Sequence, residues 1–486
     1  MSALARYYHS KGAKVSGYDK TQSSLTVELE KEGMVIHYEE NLALISKEAE
    51  MVVYTPAVPK DHKELVYYQQ NGYKVVKRSD VLQIITESSF NICIAGTHGK
   101  TTISTMIAHL LRHTGYGCNA FLGGISVNYG TNFWSSERNV CVVEADEYDR
   151  SFLKLFPDVA IISAMDADHL DIYGTAKSME NAFINFSNNV KADGMLLSKF
   201  GLKRANELAG GKQVEDARKH LTYSLQNESA DVFAENIRMM NGSYEFDVVM
   251  SARTLRRSPS GPLEKENIIE NVVLHMGGMH NVENVVVAIA VASSLGIDNK
   301  KIKAAVEDFK GVKRRFEYVI APRSANSPLR LRRGLPDCII QAGVGGEVVF
   351  VDDYAHHPEE LRALINGAKS LFSHRKCTVI FQPHLYTRTR DFADGFAEVL
   401  DLADEVILLP IYPARELPIE GVESEMILDK MKNEHKRVLT KVQLMNWMKN
   451  DFSKTVNKDF GEVLITAGAG DIDTLIEPIK KELKDL

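Results

Sequence analysis

The sequence predicts an α/β protein of two to four domains, and two observations support that prediction. Short apolar runs typical of buried strands alternate with helix-like stretches along most of the chain, which is the pattern of parallel sheets. The chain has 486 residues, more than one hydrophobic core supports, since a domain takes roughly 100 to 200 residues. A net charge of −7 and 25% charged residues are ordinary for a globular protein, and they give no reason to expect nucleic acid or a membrane as partner.

The cysteines indicate a reducing environment. All five are scattered without a CxxC pair, and three lie in apolar strand-like runs. That spacing is typical of buried free thiols rather than of disulfides or a zinc site. No signal peptide, membrane span or lipidation motif stands out, so the sequence predicts a cytoplasmic protein.

The first predicted domain, residues 1–87, is a small parallel α/β unit of the Rossmann-like type. Its strand-like runs are residues 14–19, 34–38, 51–54 and 74–77. Asp19 ends the first run, where a Rossmann-like unit carries its acidic residue, but the strand and glycine-rich turn that precede it in that fold are missing. We therefore expect the native start to lie upstream, the alternative being a fold that has lost its first strand.

The second predicted domain, residues 88–312, opens with NICIAGTHGKTTIST at residues 91–105. An apolar run, a turn containing Gly96 and Gly99, and apolar residues at helical spacing predict a strand, a tight turn and a helix. The backbone N–H groups of such a turn bind phosphate, and Lys100 adds a charge. This pattern predicts a phosphate-binding loop, although Ile94 stands where a strict P-loop has its first glycine. The alternative is an ordinary glycine turn with one solvated lysine.

Two further buried-type strands of this domain end in polar residues. Residues 139–143 run into EADEYD, and residues 158–164 run into MDADHLDIYG. Ligands collect at the carboxyl ends of parallel strands, so we expect Glu144 and His169 beside the phosphate loop. The alternatives are a solvated Glu144 and a structural histidine.

The third predicted domain, residues 313–486, begins at KRRFEY and repeats the alternation. Its strand-like runs are residues 348–351, 377–382, 405–409, 437–440 and 463–467. They predict a second doubly wound, Rossmann-like sheet. Residues 321–346, which bear proline, arginine and serine without a clear period, are interpreted as a surface insertion.

A series of motifs in order along the chain resembles those of the Mur ligases of peptidoglycan synthesis. The motifs are GTHGKTT, the strand-end Glu144, DADHLDIYG, GGMHNVEN, KRRFEY, VDDYAHHPEE, QPHLYTRTRDF, YPARELPIEG and GAGDI. The likeness is strongest to the members that add the first amino acid. It implies an N-terminal domain that holds the UDP part of the substrate, a central ATPase domain and a C-terminal Rossmann-like domain. It also implies an enzyme that joins L-alanine to the lactyl carboxylate of UDP-N-acetylmuramate through an acyl phosphate, driven by ATP.

The resemblance implies an ATP site drawn from several motifs. The residues that it assigns to ATP are Gly96, Thr97, His98, Gly99, Lys100, Thr101, Thr102, Asn281, Asn284, Arg315 and Asp353. Lys100 would hold the β- and γ-phosphates. Asn281 and Asn284 would contact the adenine, with helix capping as the alternative for Asn281. Arg315 would reach the phosphates, whereas its neighbour Arg314 is interpreted as a surface charge.

The resemblance also implies Mg²⁺ and a ribose contact. Thr101 and Glu144 would hold one magnesium ion, and His169 a second that bridges the acyl phosphate. Asp353 would meet the ATP ribose, with helix capping as the alternative for this residue and the aspartate before it. The carbamylated lysine of several Mur ligases has no counterpart in residues 178–190, which agrees with the alanine-adding members. The residues with implied catalytic roles are Lys100, His169, Arg315 and His356.

The L-alanine site is expected in the third domain. Tyr354 and His356 would lie near the incoming amino acid, and Arg388 would bind its carboxylate, because a guanidinium matches a carboxylate bidentately. Some relatives carry a second arginine where this chain has Leu385. Arg390 is then a substitute or a solvated helix residue.

The remaining implied contacts are those of the sugar nucleotide. The residues assigned to the UDP substrate are Thr55, Pro56, Ala57, Asn128, Thr131 and Asn132. The partners are therefore UDP-N-acetylmuramate, L-alanine and ATP, bound by a monomer or homodimer.

Three other functions share parts of this pattern. A recycling ligase that attaches a preformed tripeptide to the same nucleotide shares the ATPase motifs, but TRTRDF and YPARELPIEG favour the alanine-adding members. Chemistry like that of folylpolyglutamate synthase is disfavoured by HHP, TRTRDF and the UDP loop. A degenerate ATP-binding module is disfavoured because the catalytic constellation is intact.

Overall fold

The chain forms two compact units. The computed structural model describes residues 1–55, 58–148, 150–166, 170–208, 219–240, 242–251, 267–322, 347–414 and 416–484. The first unit comprises Met1–Glu235, Val248–Glu270 and Glu283–Val306, and the second comprises Asn236–Asp247, Asn271–Val282 and Glu307–Leu486. The domain limits predicted after residues 87 and 312 stay predictions.

The N-terminal residues contain the four predicted strands, arranged as two separate parallel pairs. The elements are α1 (Ser2–Ser10), β1 (Ser16–Tyr18), α2 (Ser24–Lys31), β2 (Val35–His37), β3 (Val52–Tyr54), α3 (Lys63–Gln70), β4 (Val75–Lys77) and α4 (Arg78–Glu87). β1 pairs with β2 and β3 pairs with β4, both in parallel. The alternation predicted here is therefore confirmed, although the strands do not form one continuous sheet among the described residues.

A large central sheet carries the phosphate loop. Its elements are β5 (Phe90–Ala95), α5 (Lys100–His113), β6 (Asn119–Ser126), β7 (Thr131–Trp134), β8 (Val140–Glu144), β9 (Val159–Ile162), α6 (Leu170–Tyr173), α7 (Ala176–Asn188), β10 (Met195–Lys199), α8 (Ala205–Leu208), β11 (Lys219–Ser224), β12 (Val232–Met240), β13 (Ser243–Met250), β14 (Asn267–Leu274), α9 (Met279–Ser294) and α10 (Asn299–Asp308). The strand order is β14-β13-β12-β11-β10-β9-β5-β8-β6-β7. β5 lies between β9 and β8 and is parallel to both. The carboxyl ends of these three strands therefore meet at one edge, where parallel sheets bind ligands.

The third predicted domain contains a six-stranded sheet within the described residues. Its elements are β15 (Glu317–Ile320), β16 (Val348–Asp353), α11 (Pro358–Leu371), β17 (Lys376–Phe381), α12 (Tyr386–Asp391), α13 (Ala393–Leu400), β18 (Glu405–Leu408), α14 (Glu425–Leu428), β19 (Lys436–Val438), α15 (Lys441–Asn450), α16 (Phe452–Thr455), β20 (Glu462–Ala467) and α17 (Ile476–Lys484). The strand order is β15-β16-β20-β17-β18-β19. The five predicted strands are present and parallel. β15 was not predicted, and it pairs antiparallel with β16.

The described part of the chain tests two expectations from composition, one on the cysteines and one on membrane-spanning segments. Cys93, Cys118, Cys141 and Cys377 are buried free thiols, as predicted. Burial raises the pKa of the Cys118 thiol to about 12, so it is not a reactive thiolate. Within the described residues, no helix has both the length and the apolar content that a bilayer crossing requires. Cys338 and most of the predicted insertion lie outside the described residues.

Candidate active site

The phosphate loop joins β5 to α5 as predicted. Gly96 and Gly99 have φ angles of 138° and 82°, which side chains other than glycine seldom adopt. A Cβ at Gly96 would lie 2.2 Å from Ser163 Oγ. The same hydroxyl donates a hydrogen bond to the carbonyl oxygen of His98, so Ser163 ties the loop to the end of β9. Sequence reasoning missed Ser163, because no motif marks the residue that follows this strand.

The Lys100 ammonium is held inside the loop. It donates to the Gly96 carbonyl oxygen at 2.7 Å and to Glu147 Oε1 at 2.6 Å. Glu147 is only 1% exposed. Burial raises the pKa of its carboxyl, and the charge of Lys100 acts in the opposite direction. Sequence reasoning missed Glu147, although its place in EADEYD, three residues after Glu144, was an available signal.

Thr101 and Glu144 come together as predicted. Thr101 Oγ1 donates to Glu144 Oε1 at 2.9 Å, and the Gly123 backbone N–H donates to Glu144 Oε2 at 2.8 Å. Burial raises the pKa of the Glu144 carboxyl, and the Thr101 hydroxyl and Lys100 lower it. A hydroxyl and a carboxylate at this spacing are hard oxygen donors of the kind that Mg²⁺ prefers. These two residues therefore fit a magnesium site by their chemistry.

The other predicted loop residues lie beside this pair. Thr97 Oγ1 accepts from the Asp166 backbone N–H at 3.2 Å. His98 is largely exposed, and its Nε2 lies 3.6 Å from Asp166 Oδ2. Thr102 is buried in the first turn of α5. His169 lies outside the described residues, so its role stays a prediction.

A cavity of about 460 Å³ opens onto the Glu144 carboxylate. Its lining includes Ser2, Leu4, Arg78, Thr101, Gly123, Asn132, Glu144 and Asp146. Asn132 Oδ1 accepts from the buried Arg6 at 2.8 Å, and Asn132 Nδ2 donates to Ser2 Oγ at 3.0 Å. Asn132, predicted as a substrate contact, thus joins α1 to this cavity wall. Its substrate role stays a prediction.

The remaining residues predicted to contact the UDP substrate are dispersed. Thr131 donates to the Phe133 carbonyl oxygen at 3.1 Å. Asn128 lies half-buried in the turn between β6 and β7. Thr55 directly follows β3, and its carbonyl oxygen accepts from the Val58 backbone N–H at 3.1 Å. Pro56 and Ala57 lie outside the described residues.

The two asparagines predicted to contact adenine lie in the first turns of α9. Asn284 Oδ1 lies 3.2 Å from the place where Gly99 would carry a Cβ, so this amide borders the phosphate loop. Asn281 is the third residue of α9, and its Nδ2 donates to the Gly277 carbonyl oxygen at 2.6 Å. Asn281 therefore lies within the first turn of the helix, and its alternative role as a cap stays a prediction. The adenine contacts stay predictions.

In the second unit, the interpretation of Arg314 as a surface charge is wrong. Its guanidinium donates to Asp352 Oδ2 at 3.2 Å and also to the Gly468 carbonyl oxygen. Only 18% of the side chain is exposed, whereas Arg315 is exposed. Arg314 therefore anchors the KRRFEY turn, and the next residue is presented to solvent.

The two aspartates at the end of β16 bind groups outside the following helix, Asp353 through backbone N–H groups and Asp352 through side chains. Asp353 accepts from the Phe316 N–H at 2.6 Å and from the Ala355 N–H at 2.7 Å. Asp352 accepts from Thr466 Oγ1 at 2.6 Å. Burial raises the pKa of Asp352 to about 7 and the pKa of Asp353 to about 6. Since α11 is capped from its own first turn, the alternative that these aspartates cap it is wrong. The ribose contact of Asp353 stays a prediction.

Two neutral imidazoles surround Arg388. His356 Nδ1 lies 2.9 Å from the Tyr354 carbonyl oxygen and must donate to it, which leaves Nε2 as an acceptor. Arg388 donates to His384 Nδ1 at 3.4 Å. Burial lowers the pKa of His356, and burial together with the Arg388 charge lowers the pKa of His384 to about 4. Sequence reasoning missed His384, although QPH directly precedes the arginine motif.

Arg388 makes no close ion pair within the described part of the chain, although the charges of Glu360 and Glu416 act on it from farther away. Among the described residues, it has no carboxylate within 4.0 Å, and burial lowers the pKa of its guanidinium. Arg390 instead pairs with Asp391 at 2.8 Å and is 48% exposed. The structure therefore favours the solvated interpretation of Arg390, and it leaves Arg388 as the carboxylate-binding candidate.

Comparison with known proteins assigns the family. Three family models match in succession: "Mur ligase family, catalytic domain" over residues 1–89, "Mur ligase middle domain" over residues 94–292 and "Mur ligase, glutamate ligase domain" over residues 339–470. The chain belongs to the Mur ligase family. The UDP-N-acetylmuramate–L-alanine ligase of Parabacteroides distasonis is 45% identical over 99% of this chain and 95% of that protein. The enzyme of the same name from Phocaeicola vulgatus is 43% identical over 99% and 94%.

Solved structures of Mur ligases agree with this assignment. The UDP-N-acetylmuramate-alanine ligase of Thermotoga maritima matches with a TM-score of 0.74 and 26% identity, covering 100% of this chain and 96% of that one. A murein peptide ligase of Psychrobacter arcticus matches with a TM-score of 0.62 over 100% and 97%, and at 22% identity it shows the fold alone. The predicted three-domain α/β class is therefore confirmed.

The Mur ligase chain thus brings together most of its predicted ATP residues. Within the first unit, the loop glycines, Lys100, Thr101, Glu144 and Asn284 lie around one edge of the central sheet. Within the second unit, the residues predicted for L-alanine lie around Arg388. Their binding roles stay predictions.

Proposed function

We propose that this chain is the ligase that adds L-alanine to UDP-N-acetylmuramate, with ATP converted to ADP and phosphate. The observation that carries the proposal is the 45% identity to an enzyme of that name over 99% of the chain. The contact between Thr101 and Glu144 beside the Lys100 ammonium supports the ATP-dependent part of the reaction.

The reaction has two steps. An oxygen of the lactyl carboxylate attacks the γ-phosphorus, and the bond to the β,γ-bridging oxygen breaks to release ADP and leave an acyl phosphate. The amine of L-alanine then attacks the acyl carbon, and phosphate departs with the electrons of the carbon–oxygen bond as the amide forms. The first step brings a carboxylate to a polyanion, so the site must supply positive charge.

The first unit contains groups suited to that demand. The Lys100 ammonium and the backbone N–H groups of the glycine loop bind the phosphates. Thr101 and Glu144 would hold Mg²⁺, with His169 as the proposed ligand of a second ion. Bound Mg²⁺ neutralises phosphate charge and favours attack by the carboxylate. Arg315, which belongs to the second unit and is exposed at the KRRFEY turn, is the proposed second cation.

The second unit contains groups suited to L-alanine. Arg388 binds its carboxylate, and the lack of a competing carboxylate within 4.0 Å among the described residues supports this role. The amine must lose a proton before it attacks. His356 is neutral at pH 7 and has a free Nε2 acceptor, so it is the proposed base.

The proposal is tested by ADP release from the purified chain with ATP and Mg²⁺. We expect release only when UDP-N-acetylmuramate and L-alanine are both present. Release that requires the preformed tripeptide instead of L-alanine would assign the chain to the recycling ligases. ATP turnover that is independent of the sugar nucleotide would refute both ligase assignments.

A further inference from the structure

A buried carboxylate that the proposed reaction does not use lies behind the phosphate loop. Glu147 is 1% exposed, and its Oε1 accepts from the Lys100 ammonium at 2.6 Å. Its other oxygen, Oε2, is buried and has no hydrogen-bond partner among the described residues. The Tyr173 hydroxyl donates to the Glu147 backbone carbonyl at 2.6 Å, which fixes the turn that carries this side chain.

This arrangement is costly for folding. Burying an ionised carboxylate is unfavourable, and leaving one of its oxygens unpaired adds to the cost. For stability alone, well-packed apolar residues in place of both Lys100 and Glu147 would do at least as well as this ion pair. Stability therefore does not explain why a glutamate occupies this position. Its one charged partner among the described residues is Lys100.

The geometry shows how the Glu147 carboxylate restricts the position of the Lys100 ammonium. A lysine ammonium has three N–H donors on a flexible stem. Among the described residues, two of them are engaged, one by the Gly96 carbonyl and one by Glu147. One donor is then left for a phosphate oxygen, and the ammonium is already fixed in the loop before nucleotide binds.

We propose that Glu147 is a positioning residue for Lys100, holding the ammonium where the transferred phosphoryl group needs it. Glu147 itself touches no substrate and acts only through Lys100. The kinetic part of this inference rests on the proposed ligase function, whereas the coupling between the two side chains does not.

The coupling is tested by a double-mutant cycle in thermal stability. Lys100→Met leaves Glu147 buried without its cation, so we expect the unfolding midpoint to fall by about 5 °C or more. Adding Glu147→Gln to that variant removes the unpaired buried charge, so most of the fall in the unfolding midpoint should be recovered. Lys154→Met is the matched control, because its partner Asp80 is 36% exposed, and we expect little change. Additive effects of the Lys100 and Glu147 substitutions would overturn the inference.

The positioning role is tested by kinetics of the full chain. We expect Glu147→Ala to lower kcat by roughly 10- to 100-fold, because a small misplacement of a catalytic group has effects of that size. The KM for ATP should change by less than about threefold, since Lys100 keeps its charge. Glu147→Gln retains an acceptor for the ammonium and should restore part of kcat.

Two outcomes would overturn the positioning role. Wild-type kcat in Glu147→Ala would show that the carboxylate is dispensable. A parallel loss of kcat, ATP affinity and thermal stability would show that Glu147 only maintains the loop. The stability cycle needs no substrate, so coupling in a chain that lacks ligase activity would refute the proposed function and leave the Lys100–Glu147 pair intact.

Discussion

Replacing Arg314 with methionine tests whether the buried contact between Arg314 and Asp352 anchors the KRRFEY turn of the second unit. The variant would leave the Asp352 carboxylate, which is 0% exposed, with the Thr466 hydroxyl as its one side-chain hydrogen-bond donor among the described residues. Removing one partner of a buried ion pair costs about 3 to 5 kcal/mol. Because Arg314 is 18% exposed, water weakens the pair, and we expect a loss of about 2 to 3 kcal/mol.

The loss should depend on pH in a defined direction. Burial raises the pKa of Asp352 to about 7 in the folded chain, against about 3.9 for an unfolded aspartate. Between those values the folded state binds the extra proton, so this group's contribution to stability falls as pH rises. The charge of Arg314 opposes the rise in pKa, so its removal raises the pKa further. The deficit of the variant should therefore be larger near pH 8 than near pH 5.

The assay is urea unfolding of the full chain at both pH values, with Arg315→Met as the matched control. Arg315 is exposed, so its substitution should change stability by less than about 0.5 kcal/mol. Turnover should fall in both variants, because Arg314 anchors the KRRFEY turn that carries Arg315, and Arg315 is the proposed phosphate ligand. Equal stability of the two variants, or a deficit for Arg314→Met that shrinks as pH rises, would refute this reasoning.

Three further predictions concern the proposed binding sites. Arg388→Ala should raise the KM for L-alanine at least tenfold more than the KM for ATP, while Arg390→Ala changes neither; equal effects on both substrates would remove Arg388 from the alanine site. Gly96→Ala should abolish ATP binding measured by calorimetry, because its Cβ would lie 2.2 Å from a serine oxygen. Gly201 also has a positive φ, of 80°, but open space around it, so normal ATP binding is expected for Gly201→Ala. ATP binding retained by Gly96→Ala would contradict the loop geometry. Lys100→Ala should abolish turnover while circular dichroism shows an intact fold. Unchanged phosphate release would refute the assignment of Lys100 to the ATP phosphates.

Local features of the fold could be predicted from the sequence. Strands and helices follow from apolar periodicity, and the strand, glycine turn and helix at residues 90–113 follow from a pattern confined to that stretch. β15 was missed because it is a four-residue edge strand without a buried residue. It is recognisable only through its antiparallel pairing with β16, and periodicity carries no information on pairing.

The site could be predicted only where a motif carried it. Thr101 and Glu144 each lie in a motif, so their meeting at the sheet edge was expected. Lys100 and Glu147 are 47 positions apart, and Arg314 and Asp352 are 38 apart. Such pairs depend on how distant segments pack, so a sequence pattern can mark the individual charges without revealing which of them are partners.

The most direct test of the ligase account is an isotope measurement. UDP-N-acetylmuramate labelled with ¹⁸O in its lactyl carboxylate is incubated with ATP, Mg²⁺, L-alanine and the purified chain, and the products are analysed by mass spectrometry. If the carboxylate attacks the γ-phosphorus, the released phosphate carries one ¹⁸O atom and the product carries a new amide to L-alanine. Unlabelled phosphate, or phosphate released without the amide, would contradict the account.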